Sequence, residues 1–421
     1  MKILILGAPT SKGQECFGNK NKISGGGWVE NLIMNLKENK SLEIYDAFYT
    51  NAVKKCSIRK HEDINYVALP IYGKSFDYCN KKMISDLKKI YSVILPDVVH
   101  IIGTEREYDL KLFEIAGADK TLISITGIVS ICEQHYFGGI DQKNFLLKSF
   151  RDIVKRGGPI KEKKKFKFYS ESENKLLQSV KYVSGRTTLD YAHVKQLNEN
   201  AEYVHCSEIL NKNYYEGEWK YCNIQKNRIF LSQGSYPLKG LHIMLKALPI
   251  ILKKYPNTVV YIAGVDMINN SIKGKLKRTT YANYIRKLIK RLNIPSDKII
   301  FTGQLNSDEM YEQYMKANVF VLPSIIENSP NSLGEAMLLG VPCVASCVGG
   351  IQDMMRDKID GFIYPFDESY MLAYYICTIF EDSNLAITLG KNAQEHAKKR
   401  FDINTIINTT VNTYKKIMEE N

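Results

Sequence analysis

The 421-residue chain lacks an apolar run near the ~20 residues that a membrane-spanning helix needs. Its opening run, Ile3 to Leu6, gives way at once to Gly7-Ala-Pro-Thr-Ser. A secretory leader needs roughly 7–15 apolar residues, so the opening reads as a first strand entering a turn, and the protein is expected in the cytoplasm. The nine cysteines contain no C-x-x-C pair, which argues against a disulfide framework or a zinc site. Cys343 and Cys347 fall in an apolar strand-like run, where burial is expected for both. No Asp-x-Asp stands at a strand end, so no metal and no other cofactor is expected. Low-complexity segments are absent and 44% of residues are hydrophobic, enough for two buried cores rather than a disordered chain. No recognisable nucleic-acid module accompanies the net charge of +13. An anionic membrane surface or a diphosphate substrate is the expected partner for that charge, with no nucleic acid.

What is present is an alternation of short β-branched runs with longer amphipathic stretches. Strands are predicted at 2–6, 66–70, 98–102, 121–125, 181–184 and 202–205, with helices at 26–40, 81–91, 108–116 and 187–198. After a polar, aromatic connector at 208–227 the series restarts. Strands are predicted there at 228–233, 259–263, 298–302, 319–323 and 342–345, with helices at 241–254, 280–292, 307–317, 331–339 and 370–381. One further helix is predicted over about 392–419. The fold class is therefore α/β, with two doubly wound parallel domains at 1–207 and 228–391 and a C-terminal helix at 392–421.

Residues 145–168 break this rhythm. Phe145, Phe150, Val154 and Phe166 alternate with Lys148, Arg151, Lys155, Arg156 and a lysine-rich run over 161–167. Two readings fit: a solvated charged insertion, or an interfacial helix resting on anionic lipid.

The segment most suggestive of chemistry is Val319-Phe-Val-Leu-Pro-Ser-Ile-Ile-Glu-Asn-Ser-Pro-Asn-Ser-Leu-Gly-Glu-Ala-Met. A strand ends, a polar loop follows, and a helix begins near Pro330, since proline suits the first helical position. The amides of Asn331 and Ser332 then stand free at the positive end of a helix dipole, which is a phosphate site in chemical terms. Glu327 and Glu335, eight residues apart, can bracket a ligand. Ser332-Leu-Gly-Glu335 is equally a capping-box pattern.

These residues resemble the E-x7-E region of glycosyltransferase family 4, whose members are retaining enzymes of the GT-B fold. The resemblance includes Gly340-Val-Pro, Gly349-Gly-Ile and Asp360-Gly-Phe-Ile-Tyr-Pro, the last similar to a turn that follows a strand in that family. Gly234-Ser-Tyr-Pro-Leu-Lys239-Gly240 is similar to the family's phosphate loop, and Phe301-Thr-Gly303-Gln-Leu305 to the loop facing the nucleobase. The resemblance implies two Rossmann-like domains facing across a cleft, with the last helix crossing back to the first domain. It also implies a nucleotide-sugar donor, UDP-linked before GDP-linked. Lys239 and Glu327 would be catalytic. Gly234, Lys239, Gly303, Leu305, Glu327, Asn331, Ser332 and Glu335 would hold the donor, with Glu335 on the ribose diol and Glu327 on the sugar. The family's loop arginine aligns with Gly234, so either another basic residue substitutes or the helix terminus carries more of the phosphate charge; Arg186 is the candidate cation, with a surface or interdomain salt bridge as its other reading.

The amino-terminal half carries a weaker likeness, closest to relatives from bacterial surface-polysaccharide assembly. Ser24-Gly-Gly26-Gly27 resembles a ligand-approaching glycine loop before the first helix, so Gly26 and Gly27 join the expected binding residues. Thr126 stands where relatives place a histidine; His135 reads first as a structural or surface histidine and only second as a substitute reaching the cleft. The implied acceptor is a saccharide or a lipid-linked saccharide, and the expected enzyme is a hexosyltransferase. A sugar-nucleotide epimerase of the same fold, or a basic nucleic-acid-binding protein, are the alternatives.

Overall fold

Two largely parallel sheets organise residues 1–19, 27–72 and 79–421, which the computed structural model describes. The first contains β1 (Lys2–Leu6), β2 (Glu43–Thr50), β3 (Ser57–His61), β4 (Ile64–Pro70), β5 (Val98–Ile102), β6 (Thr121–Ser124), β7 (Tyr182–Gly185) and β8 (Glu202–His205). Their spatial order is β3-β4-β2-β1-β5-β6-β7-β8, and β3 alone is antiparallel to its neighbour. The second contains β9 (Arg228–Leu231), β10 (Val259–Ile262), β11 (Ile299–Phe301), β12 (Val319–Leu322), β13 (Cys343–Ser346) and β14 (Phe362–Tyr364). Its order is β11-β10-β9-β12-β13-β14. Strand order reverses between β1 and β5 in one sheet and between β9 and β12 in the other. At such switch points the loops leaving the carboxyl ends of the strands diverge and open a crevice.

The chain divides into two units. Unit 1 comprises Met1–Ser130, Lys165–Asn211 and Phe401–Asn421, and unit 2 comprises Ile131–Lys164 and Lys212–Arg400. Segment 131–164 thus sits with unit 2, although the sequence places it inside the first domain. The connector divides after Asn211, and residues 212–227 belong to unit 2, where Trp219 donates from its indole to the Ala317 carbonyl at 2.9 Å.

Burial on both faces explains why the parallel strands read as continuous apolar runs. Ile3, Leu4, Ile5 and Leu6 are fully buried in unit 1. The helix Ile403–Glu419 joins that core through Ile406, Val411, Tyr414 and Ile417. Tyr414 and Ser124 each hold a nitrogen of His100 at 2.7 Å. Burial pushes the His100 imidazole down to about 3, so this internal network stays neutral.

Several elements differ from their sequence reading. The predicted helix over 392–419 is two helices, Ser383–Arg400 and Ile403–Glu419. Phe401 turns into the core between them, and Asp402 caps the second by accepting from the Thr405 amide at 2.8 Å. Residues 145–168 do not form one helix. A 3-10 turn (Gln142–Phe145), a short helix (Phe150–Val154) and a long helix (Pro159–Ser179) replace it, with left-handed backbone at Arg156 and Gly158 forcing the break. β14 lies where only a turn was expected. Cys343 is buried but Cys347 is exposed, and all nine cysteines are free.

Asp360 shows what the turn before β14 does. Its fully buried carboxylate accepts two bonds from the Arg356 guanidinium, at 2.8 and 2.6 Å, and meets His396 Nδ1 at 2.7 Å. Burial alone would raise this carboxyl, but the Arg356 and His396 bonds win and hold it below the usual range. Its stabilising contribution is therefore present above that range and disappears as pH falls through the lowered value. Asp360→Asn is expected to cost about 2 kcal/mol in urea melts at neutral pH, with the gap closing below about pH 4. An unchanged midpoint at neutral pH would show that the turn does not rely on this carboxylate.

Candidate functional site

Within unit 2, the loops leaving β9, β10, β11, β12 and β13 all emerge at the carboxyl edge of one parallel sheet. The β9 loop carries Gly234, Lys239 and Gly240. A Cβ on Gly234 would come within 3.0 Å of Leu241 and 3.2 Å of Ile262, so the loop leaves β9 tightly packed. Gly240 adopts φ +66, and a Cβ there would lie 1.6 Å from the Pro323 carbonyl oxygen. Only glycine fits. This close approach, with the Ile325 amide donating to the Leu238 carbonyl at 2.8 Å, stitches the β9 loop to the β12 loop.

The stitching brings together two groups 88 positions apart: Lys239 Nζ donates to Glu327 Oε1 at 2.6 Å. Ser324 Oγ donates to the same oxygen at 2.7 Å, and the Gly350 amide donates to the Glu327 carbonyl at 3.1 Å. Among the described residues, no group bonds Glu327 Oε2. Burial on its own would lower the basicity of Lys239, but the Glu327 carboxylate and then the Tyr236 ring oxygen outweigh it, so the ammonium is held above its ordinary value. Lys239 is thus a fixed cation rather than a proton donor.

The helix Asn331–Leu339 begins beyond the same loop, with Pro330 as its cap rather than its first residue. Pro330 has no side-chain donor or acceptor, so the first turn has no side-chain cap. Among the described residues, no acceptor meets the amides of Asn331 or Ser332, both half-buried. They are available donors at a helix N-terminus.

Glu335 is the fifth residue of this helix, and Ser332 lies inside it, so the pair is not a capping box. The Tyr314 hydroxyl donates to Glu335 Oε2 at 2.9 Å and lies 3.0 Å from the Ser332 carbonyl oxygen. Burial pushes the Glu335 carboxyl up to about 7, the Tyr314 bond opposing only in part. Sequence reasoning missed Tyr314, a fully buried tyrosine whose helical spacing marks it only as core. Gly303, at φ +86, accepts from the Gly264 amide at 2.8 Å, which fixes the β11 loop, and Leu305 is half-buried beside it in sequence.

Unit 1 has its own cavity, about 430 Å³, at the carboxyl edge of β1, β2, β5 and β6. Trp28, Tyr49, Glu105, Arg106, Tyr108 and Thr126 are among its lining residues. Tyr49 and Tyr108 pack with ring centroids 4.5 Å apart. Arg106 is oriented by Tyr169, whose ring it overlies at 5.1 Å. The loop after β6 is anchored by Glu173, fully buried, which accepts from Thr104 Oγ1 at 2.7 Å and from the Val129 and Ser130 amides at 3.0 Å. Gly27 opens the helix Gly27–Leu36, next to the cavity-lining Trp28. Gly26 lies outside the described residues.

Two open readings are decided. Arg186 is buried and engaged within unit 1, donating to Glu208 and to the Ile125 and Thr126 carbonyls; it is not a spare phosphate cation. His135 is exposed at the end of a short helix, while Thr126 itself lines the unit 1 cavity. Glu105, Arg106 and Tyr108 went unnoticed in the sequence, although a polar run just past β5 was the available signal. Among the described residues, no group of three or more His, Cys, Asp or Glu is placed to hold a metal ion.

The raised Glu335 carboxyl has a consequence for stability. A folded-state value above the unfolded one gives a contribution that is present below about pH 4.5 and lost as pH rises through about 7. Glu335→Gln keeps an acceptor for Tyr314 but cannot ionise. It is expected to be about 2 kcal/mol more stable than wild type near pH 8, the two converging near pH 5. A variant less stable at both pH values would mean that the carboxylate supports the fold.

Residues 219–396 match the family model for glycosyl transferases group 1. An uncharacterized glycosyltransferase of Methanocaldococcus jannaschii is 28% identical over 196 residues, which is 46% of each chain. The match thus spans less than half the length of this curated relative. Among solved structures, a sucrose-phosphate synthase of Thermosynechococcus elongatus superposes with TM-score 0.74 at 16% identity, covering 100% of both chains. The Anabaena protein HepE, in complex with UDP-glucose, gives 0.67 at 16% identity over 99% of this chain and 100% of its own. The protein has the GT-B fold, and its residues 219–396 carry the pattern of the group 1 glycosyl transferases.

Proposed function

We propose that the protein transfers a sugar from a nucleotide-sugar donor to a saccharide acceptor, free or lipid-linked, with retention of anomeric configuration. The observation that carries the reading is the Lys239–Glu327 pair at the β9/β12 switch point, beside a helix N-terminus with two available amides. In the free protein the Glu327 carboxylate neutralises Lys239. A donor diphosphate takes its place on the ammonium and accepts from the Asn331 and Ser332 amides, which releases Glu327 toward the sugar hydroxyls. Glu335 takes the ribose diol, and the Gly303–Leu305 loop faces the base. The bond between the anomeric carbon and the diphosphate oxygen breaks, and the acceptor oxygen bonds that carbon from the same face. The acceptor proton passes to the departing diphosphate. Rate then depends on stabilising charge on the leaving group.

HepE was crystallised with UDP and with UDP-glucose, which supports a UDP-linked hexose ahead of GDP-linked donors. The acceptor reading rests on the unit 1 cavity, where aromatic faces suit sugar rings and the Glu105 and Arg106 side chains suit hydroxyls. Surface-polysaccharide assembly is the setting that the resemblance favours, and the cytoplasm is the compartment where such donors are found.

The carboxylates should separate in binding and turnover assays. Glu335→Gln is expected to weaken free nucleoside diphosphate about tenfold, through loss of a charged bond to the ribose. Glu327→Gln should leave that affinity unchanged or tighter, since a competitor for Lys239 is removed, yet lower turnover of the full donor by about 100-fold. Equal losses of nucleotide affinity in both variants would contradict the assigned roles.

Transfer is further expected to survive excess EDTA and to consume donor only when acceptor is present. Activity abolished by chelator and restored by magnesium or manganese would refute metal independence. Donor consumption without acceptor would replace transfer by an epimerase or hydrolase reaction.

A further inference from the structure

The short helix Phe150–Val154 in unit 2 is inverted relative to a normal surface helix. Its cap Ser149 and its Asp152 are buried, and Asp152 accepts from the Thr280 amide at 2.7 Å and from Thr280 Oγ1 at 2.6 Å. The Ser149 amide donates to Thr280 Oγ1 at 3.0 Å. These bonds fix the helix so that Phe150, Ile153 and Val154 point to solvent, each more than 60% exposed, with Leu147 at 81% just before it. A helix that gained stability by hiding its apolar face would lie the other way round.

A second short helix, Ile272–Lys277, packs beside the first within unit 2. It buries no residue, with Ile272 80% exposed, Leu276 also exposed, and Lys273, Lys275 and Lys277 exposed between and after them. From 267 to 296 the chain holds eight Lys or Arg and no Asp or Glu. Around the first helix Lys148, Lys155 and Arg156 are exposed as well, while the single acidic residue from 142 to 156, Asp152, is buried. Nearly all of the chain's excess positive charge falls in unit 2.

We propose that these two helices form a docking surface for an anionic lipid bilayer. Aliphatic and aromatic side chains interleaved with lysines match a headgroup boundary, where hydrocarbon lies next to phosphate. A polynucleotide would use the charge and leave the apolar side chains in water. The surface keeps Phe150, Val154, Lys148, Lys155 and Arg156 of the stretch expected over 145–168 and excludes Phe145 and the lysine-rich end. Phe145 is a core residue, Phe166 and Phe168 are half-buried, and Lys163 pairs with Glu133 at 3.6 Å. The inference is independent of the donor and acceptor assignments.

The test is sedimentation of the full chain with vesicles of phosphatidylcholine alone and of phosphatidylcholine mixed with phosphatidylglycerol. Binding is expected to the mixed vesicles and not to the neutral ones. Combined Lys273→Glu, Lys275→Glu and Lys277→Glu should lower it at least about tenfold. Combined Leu147→Ser and Phe150→Ser should abolish the part that resists salt. All five positions are exposed, so an unchanged melting temperature is the check on folding. Phe150→Trp supplies a second readout, a blue shift of emission on adding mixed vesicles. The proposal is overturned if the wild type stays in the supernatant with mixed vesicles at low salt. It is equally overturned if binding is indifferent to the apolar substitutions, the Trp emission does not move, and double-stranded DNA competes, since the charge then serves polyanions in general.

Discussion

The site in unit 2 depends on one contact, the 2.6 Å ion pair between Lys239 and Glu327. Both partners are mostly withdrawn from water, where an unpaired ammonium would be costly. The pair exists only because Gly240 lets the β9 loop touch the Pro323 carbonyl, a position closed to any other residue. Ser324 and the Gly350 amide then fix the carboxylate and its backbone. Ser324 in turn is held through its carbonyl by Ser346 at the end of β13. Three strand ends therefore set the position of one charge. Glycine, serine and a switch in strand order thus hold a positive charge at the carboxyl edge of this sheet.

Glu335 illustrates the complementary cost. A carboxyl pushed up to about 7 by burial stays in the first turns of a helix with, among the described residues, Tyr314 as its side-chain partner. Core residues that served stability alone would not include it, since a hydrophobic or amide side chain of similar size avoids the penalty of ionising there. Such a cost is more readily understood where a ligand supplies the missing partner. The contrast with Asp360, whose buried carboxylate has Arg356 and His396, separates two acidic residues that sequence resemblance groups together: one has cationic partners, the other a tyrosine hydroxyl.

Much of the fold was legible in the sequence because parallel strands buried on both faces leave uninterrupted apolar runs. β1, β5 and β8 and the helices Leu241–Lys254 and Asn331–Leu339 have the boundaries expected. β2 escaped notice because a buried aspartate, Asp46, sits in its middle, accepting from Thr10 Oγ1 at 2.7 Å. β3 escaped because four of its five residues are exposed, and its hairpin turns on Glu62 and Asp63 in left-handed backbone rather than on an Asn-Gly or Asp-Gly pair. In the site, glycines and helix starts announced themselves by type and spacing. Tyr314 did not, since a tyrosine at helical spacing looks the same whether its hydroxyl is idle or holds a carboxyl. Nor did the inside-out helix Phe150–Val154, because periodicity shows that a helix has two faces but not which one is pinned inward. That was decided by Thr280, 128 positions away.

The most direct measurement compares a nucleoside diphosphate with its parent nucleoside in wild type and in Lys239→Ala. The base is whichever of UDP, GDP and ADP raises the melting temperature most, and the two affinities are read by calorimetry. If Lys239 is the cation that a diphosphate takes over from Glu327, wild type binds the diphosphate far more tightly than the nucleoside. In Lys239→Ala that advantage then shrinks by about 100-fold, while nucleoside affinity holds. An advantage of the same size in both proteins would contradict the account, because the phosphates would then be held elsewhere.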